Sequence, residues 1–128
     1  MKAGDTFIIE QPGTSLDSHL WMVISDPNVD PHEVVLLNFT TWRADKDQAC
    51  IVEVGDHAFI RHRTCVNYGG AKVVSAAAIQ SLVTNGRIAP RQPLSTDLLE
   101  RIRNGAAESR SMPMGVAAIL ARQGLIDI

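Results

Sequence analysis

The densest group of chemically capable side chains lies in residues 55–64. It contains two histidines and two arginines: His57, Arg61, His62 and Arg63. A strand through residues 59–64 would point Arg61 and Arg63 to one face, because side chains alternate along a strand. Two guanidinium groups on one face suit a phosphate, since each donates a bidentate fork of hydrogen bonds, and a neighbouring His57 could act as acid or base. The alternative is a solvated basic strand, or arginines paired with acidic residues from the N-terminal part.

Four further candidates lie at the borders of predicted strands. His19 follows a loop that contains Pro12 and Gly13, and residues beside such loops often bind ligands, although a plain surface histidine is the alternative. Thr40 and Thr41 end a strand, where hydroxyls hold a phosphate or a ribose, or cap the loop locally. Trp42 is a candidate to stack on a base, and a position in the core or its rim is the alternative.

Metal and nucleotide-triphosphate chemistry lack their usual signatures. His57 and His62 are five residues apart, which fits neither the helical spacing of zinc ligands nor the alternation of a strand. The sequence has no glycine-rich phosphate loop, no G-x-S-x-G, no C-x-x-C and no H-E-x-x-H, which also removes the usual signs of a serine hydrolase or a zinc protease. We therefore predict neither a metal site nor a cofactor.

Composition and charge describe one folded domain with an uneven charge distribution. The chain has 128 residues, 45% of them hydrophobic, and a net charge of −2, which excludes intrinsic disorder. Residues 1–56 hold three basic and ten acidic residues, −7, whereas residues 57–128 hold nine basic and four acidic residues, +5. This division favours an anionic partner for the basic part, unless the two parts complement each other in the fold. No apolar run approaches the ~20 residues of a membrane span, and no signal peptide is recognisable, so we expect a cytoplasmic protein without membrane contact.

Strands are predicted to precede helices along the chain. The predicted strands cover residues 6–9, 19–25, 33–41, 50–54 and 59–68 (the last as one strand or a bent pair), and residues 72–74 close this part. Helices are expected over residues 75–83, from Ser95 towards Ala106, and over 116–123, with Gly105 as a stop or a tolerated glycine and Ile88 as a short strand or an extended link. This order predicts a single α+β domain, 1–128, with a small antiparallel barrel over about 4–74 and a helical part over about 75–125.

The first third of the chain resembles the PemK/MazF-like toxins of bacterial toxin–antitoxin systems. The resemblance rests on Gly4-Asp5-Thr6-Phe7, the Pro12-Gly13 loop, the strand at 19–25 and the strand that ends in Thr40-Thr41. It implies an SH3-like barrel that forms a homodimer, cleaves single-stranded RNA without a metal and has a cognate antitoxin protein as partner. In the family, an arginine after the loop and a Ser or Thr at the later strand end serve the scissile phosphate. Here His19 occupies the arginine position.

The resulting hypothesis is a metal-independent endoribonuclease that uses 2′-hydroxyl attack. His19 would act as acid and base, Thr41 would orient the phosphate, and Arg61 would stabilise the charge of the transition state. The expected substrate-binding residues are Thr40, Trp42, His57, His62, Arg63 and Lys72. The alternative is a non-catalytic SH3-like module that binds a protein, a peptide or a nucleic acid.

Overall fold

The computed structural model describes residues 1–9 and 19–127. Within these ranges the protein has an α+β fold, with seven strands in one antiparallel sheet and three helices. The strands are β1 (Thr6–Ile9), β2 (Leu20–Val23), β3 (Glu33–Thr41), β4 (Ile51–Val52), β5 (Thr64–Val66), β6 (Lys72–Ser75) and β7 (Ile88–Arg91). The helices are α1 (Ala76–Thr84), α2 (Thr96–Glu108) and α3 (Met114–Arg122), and a short 3₁₀ turn spans Tyr68–Gly70.

Strand β3 is the centre of the sheet and pairs with three other strands. One of its edges pairs with β2, and the other pairs with β6 at the beginning of β3 and with β5 at its end. From β2 the sheet continues to β1 and β7, and from β5 it continues to β4. Within the described residues the pairings therefore run along one open path from β4 to β7, with β6 as a branch.

The 3₁₀ turn interrupts the edge that β5 and β6 share. Between the pairs Phe39–Val66 and Leu36–Lys72, β3 advances three residues whereas the opposite segment advances six. The turn takes up the extra residues and directs Tyr68 into the core, where it is fully buried and donates its hydroxyl hydrogen to the Ile102 carbonyl at 2.7 Å.

Helix α2 covers one side of the sheet. Its N-cap is Ser95, whose hydroxyl accepts a hydrogen bond from the Leu98 N–H at 3.1 Å. The side chains of Leu98 and Ile102 are almost fully buried in the main core. Two arginines of α2 connect the helix to the sheet. Arg101 donates to the carbonyl of Ile51 in β4, and Arg103 donates to the carbonyl of Ile24 directly after β2, both at 2.9 Å.

The sequence predictions of α+β class, C-terminal helices and the bounds of β3 are confirmed. Residues 88–91 form β7, which pairs with β1, so the part predicted to be helical also contributes a strand. Helix α2 continues through Gly105 to Glu108. The predicted strand over residues 59–62 is wrong. Of the whole segment 59–68, only residues 64–66 form a strand. The predicted loop around Pro12 and Gly13 lies outside the described residues.

No helix in the described ranges is long and apolar enough to cross a membrane. The longest, α2, has 13 residues.

Candidate functional site

A cleft of about 770 Å³ opens where the end of β3 meets the loop before β5 and the end of β7. It brings together six of the predicted site residues: His19, Thr40, Thr41, His57, Arg61 and His62. These residues come from three separate parts of the chain, so the fold assembles a site that sequence proximity alone does not show. Phe39, Phe59 and Ile60 supply apolar surface to its wall.

The cleft is strongly cationic. Besides Arg61 it is lined by Arg43, Lys46 and Arg91, whereas no aspartate or glutamate of the described residues lines it. No carboxylate in the described part of the chain lies within ion-pair distance of these four side chains. An anion that entered the cleft would therefore meet several cationic donors that no carboxylate of residues 1–9 or 19–127 neutralises.

The side chain of His19 is oriented by the backbone of β3. His19 directly precedes β2, and its Nδ1 lies 3.1 Å from the carbonyl oxygen of Phe39. A carbonyl can only accept, so Nδ1 carries the hydrogen, and in the neutral ring the lone pair is then on Nε2. His19 is exposed and lines the cleft. When the ring is neutral, Nε2 therefore carries the lone pair with which a general base accepts a proton.

The two threonines at the end of β3 differ in their surroundings. Thr40 is half-buried, and its Oγ1 accepts a hydrogen bond from Lys46 Nζ at 2.8 Å. Thr41 is exposed and pairs with Thr64 of β5 through the sheet register. Both border the cleft, so either hydroxyl is placed where an anion would bind.

Both ring nitrogens of His57 form hydrogen bonds within the protein. Its Nε2–H donates to the Gln92 carbonyl at 2.6 Å, and its Nδ1 accepts from the Phe59 N–H at 3.0 Å. The Ile60 N–H also donates to the His57 carbonyl at 3.0 Å, which folds residues 57–60 into a turn. This buried ring explains why residues 59–62 do not form the predicted strand, and it fixes the loop that carries Arg61.

His62 and Arg63 diverge at the end of this loop. His62 is exposed, lines the cleft and donates its Nδ1–H to the Arg63 carbonyl at 3.1 Å. Arg63 lies outside the cleft lining, with its guanidinium 5.5 Å from the centre of the Trp42 ring and its Nε 2.7 Å from Glu53 Oε1. The prediction that Arg61 and Arg63 share one face of a strand is therefore wrong.

Two other predicted binding residues also lie outside the cleft lining. Trp42 is half-buried with Arg63 over its ring, and its Nε1 is buried without a hydrogen-bond partner in the described ranges. Lys72 begins β6 and faces Leu36, on the edge of β3 away from its end. A cation already occupies one face of the Trp42 ring, which leaves less of it for a base.

Sequence reasoning missed three cationic residues of the cleft: Arg43, Lys46 and Arg91. The first two lie in the acidic part of the chain, with Asp45 between them and Asp47 after them. The local net charge therefore gave no sign that they line a cationic cleft. Arg43 follows Thr40-Thr41-Trp42 directly, and this proximity was an available signal. Arg91 ends β7, and only the pairing of β7 with β1 brings it to the cleft.

Comparisons of the chain with protein-family models, with curated proteins and with solved structures found no match. In the described part of the chain, no three His, Cys, Asp or Glu side chains are grouped closely enough to hold a metal ion.

Proposed function

We propose that this chain is a PemK/MazF-like toxin, a cytoplasmic endoribonuclease that cleaves single-stranded RNA without a metal. One observation carries the proposal: a cationic cleft without carboxylates among its described lining residues also holds a histidine with a defined tautomer. Arginine and lysine bind phosphates through charge and hydrogen bonds, and a neutral imidazole accepts a proton near neutral pH. Both requirements of 2′-hydroxyl attack are thus met at one site.

The proposed reaction assigns a role to each group in the cleft. His19 Nε2 removes the proton from a ribose 2′-hydroxyl, and that oxygen attacks the adjacent phosphorus. The bond between phosphorus and O5′ breaks, O5′ takes a proton from solvent, and the products carry a 2′,3′-cyclic phosphate and a 5′-hydroxyl. Arg61 stabilises the additional negative charge of the phosphorane, and Thr41 donates a hydrogen bond to a phosphate oxygen.

The fold assigned with this function is an SH3-like barrel that forms a homodimer and is held inactive by an antitoxin. The pairings described above form an open path, so the barrel is a proposal, supported by the pairing of β3 on both edges and by the burial of its residues 34–39. Helices α2 and α3 follow the last strand, β7, which agrees with the predicted C-terminal helices.

The second candidate is a non-catalytic binding module that uses the same cleft. The engagement of both His57 nitrogens favours it, because it removes one of the three histidines from acid–base work. Such a module would hold an RNA or another polyanion through the cationic side chains and leave it intact.

RNA cleavage by the purified chain in EDTA separates the two candidates. We expect fragments with 2′,3′-cyclic phosphate ends, and a rate at least ~100-fold lower for His19→Ala, since a general base contributes at least that factor. The matched control is His32→Ala, because His32 is exposed and is not among the residues that line the cleft. Induced expression of the wild type, but not of His19→Ala, should arrest growth.

Three outcomes would contradict these assignments. Equal cleavage by His19→Ala and the wild type removes the role of His19. A loss of cleavage in His32→Ala that matches the loss in His19→Ala shows that the effect is not specific to the cleft. Tight, salt-sensitive RNA binding without any cleavage favours the binding module instead.

A further inference from the structure

We propose that Lys46 is a positioning residue that turns the hydroxyl hydrogen of Thr40 towards a phosphate oxygen in the cleft. This inference rests on the proposed function and adds a second hydroxyl donor beside Thr41, together with the group that orients it. It concerns a pair of residues that the sequence did not connect, one at the end of β3 and one in the loop that follows.

The direction of the hydrogen bond between the two side chains follows from their chemistry. Lys46 Nζ lies 2.8 Å from Thr40 Oγ1. An ammonium group has no lone pair, so Lys46 donates and Thr40 accepts. The single hydrogen of the threonine hydroxyl must then point elsewhere, and no acceptor for it is found among the described residues. Both side chains line the cleft, and a phosphate oxygen there is an acceptor for that hydrogen.

Lys46 makes this bond although acidic residues flank it in the sequence. One of these residues, Asp47, is engaged elsewhere: its Oδ1 accepts from the Ala49 N–H at 2.9 Å, and its Oδ2 accepts from the hydroxyl of Ser109 at the end of α2. Asp47 is thereby held towards the helical part of the chain. Lys46 is a half-buried residue whose ammonium donates to a neutral hydroxyl, and no carboxylate in the described part of the chain lies within ion-pair distance of it.

A charged donor also strengthens the hydroxyl as a donor. A hydroxyl that accepts a hydrogen bond from a cation is polarised, and chains of hydrogen bonds reinforce one another in a partly desolvated site. The pair Lys46–Thr40 is therefore suited to stabilise the charge that develops on a phosphate oxygen in the transition state rather than to bind the ground state.

A double-mutant cycle on RNA cleavage tests this coupling. The variants of the full chain are Lys46→Met, Thr40→Val and their combination, with Thr40→Ser as the variant that restores the hydroxyl. Lys2→Met is the matched control, because it removes the same charge from an exposed residue outside the cleft lining. The readouts are kcat and KM on a short single-stranded RNA in EDTA, and Kd for its 2′-deoxy analogue.

We expect Thr40→Val and Lys46→Met each to lower kcat at least ~10-fold, with KM changed less than about threefold. The double variant should be no slower than the slower single variant by more than about twofold, because both changes remove the same donor. Thr40→Ser should recover most of the wild-type kcat, and Lys2→Met should keep it.

A double variant whose loss equals the product of the two single losses overturns the inference and leaves the proposed function standing, since Lys46 would then act through its charge alone. Full activity of Thr40→Val overturns it as well. If the wild type binds the deoxy analogue but does not cut RNA, the proposed endoribonuclease function fails, and this inference fails with it. A wild type that neither cuts nor binds overturns the proposed function and this inference together.

Discussion

Binding of single-stranded nucleic acid by the cleft should depend steeply on salt, in proportion to its cations. Four cationic residues line it, Arg43, Lys46, Arg61 and Arg91, and Lys46 donates to Thr40, which leaves three arginines for phosphates. Each phosphate neutralised on a single strand contributes about −0.7 to the slope of log K against log salt, so three contacts give about −2. An increase from about 50 to about 200 mM KCl should then weaken binding about 20-fold. Arg61→Ala should reduce the slope to about −1.4 and the loss to about 7-fold.

The assay is a titration of a labelled 2′-deoxy oligonucleotide in EDTA, because the missing 2′-hydroxyl prevents cleavage during the measurement. Arg87→Ala is the matched control, since Arg87 is an exposed arginine between α1 and β7 that is not part of the cleft lining. The reasoning is refuted if Arg61→Ala and Arg87→Ala reduce the slope equally, because a diffuse surface charge would then explain the binding. A wild-type slope near zero would remove the phosphate contacts altogether.

Two further predictions concern the core. Gly105→Ala should destabilise the fold by about 1–3 kcal/mol, because the new Cβ would overlap the Tyr68 hydroxyl and lie 2.9 Å from Cζ; if urea denaturation shows the stabilisation expected of alanine in a helix, this contact is refuted. Burial raises the pKa of the Cys50 and Cys65 thiols above the ordinary 9.0. The unfolded chain therefore loses these protons first, so the contribution of the two thiols to the free energy of unfolding should fall above about pH 9, and Cys→Ala at both positions should make the fall in that range smaller.

The sequence predicted those elements whose signals are local. Residues 34–37 are an unbroken apolar run followed by Phe39, and this local pattern predicts β3, whose residues 34–39 are buried in the structure. Helix α2 was found from its Ser95 cap and apolar spacing, but its passage through Gly105 depends on Tyr68, which approaches from a distant turn. The segment 59–62 looked like a strand because Phe59 and Ile60 are apolar. A contact between His57 and Gln92, 35 residues apart, decides otherwise.

The candidate site was predicted in part, for a similar reason. His19, Thr40 and Thr41 lie at the ends of predicted strands, and such positions can be recognised from the local sequence. The local sequence cannot show which of Arg61 and Arg63 lines the cleft. Arg63 contacts Glu53 and Trp42 outside the cleft lining, and residue spacing does not predict these contacts. Lys46 was overlooked because the neighbouring aspartates made its loop look acidic.

Local charge in this protein is decided by where its carboxylates are engaged, not by the charge of either half of the chain. The acidic first part supplies two of the four cleft cations, Arg43 and Lys46, while its Asp47 is held by Ser109 at the end of α2. Asp56 of the same part lies 3.3 Å from Arg101 of α2. The two parts of the chain thus do complement each other, but at the helix rather than at the cleft. That pairing holds Asp47 and Asp56 away from the cleft, whose described lining is cationic, so an anionic partner and an internally balanced fold are compatible explanations of the same charge division.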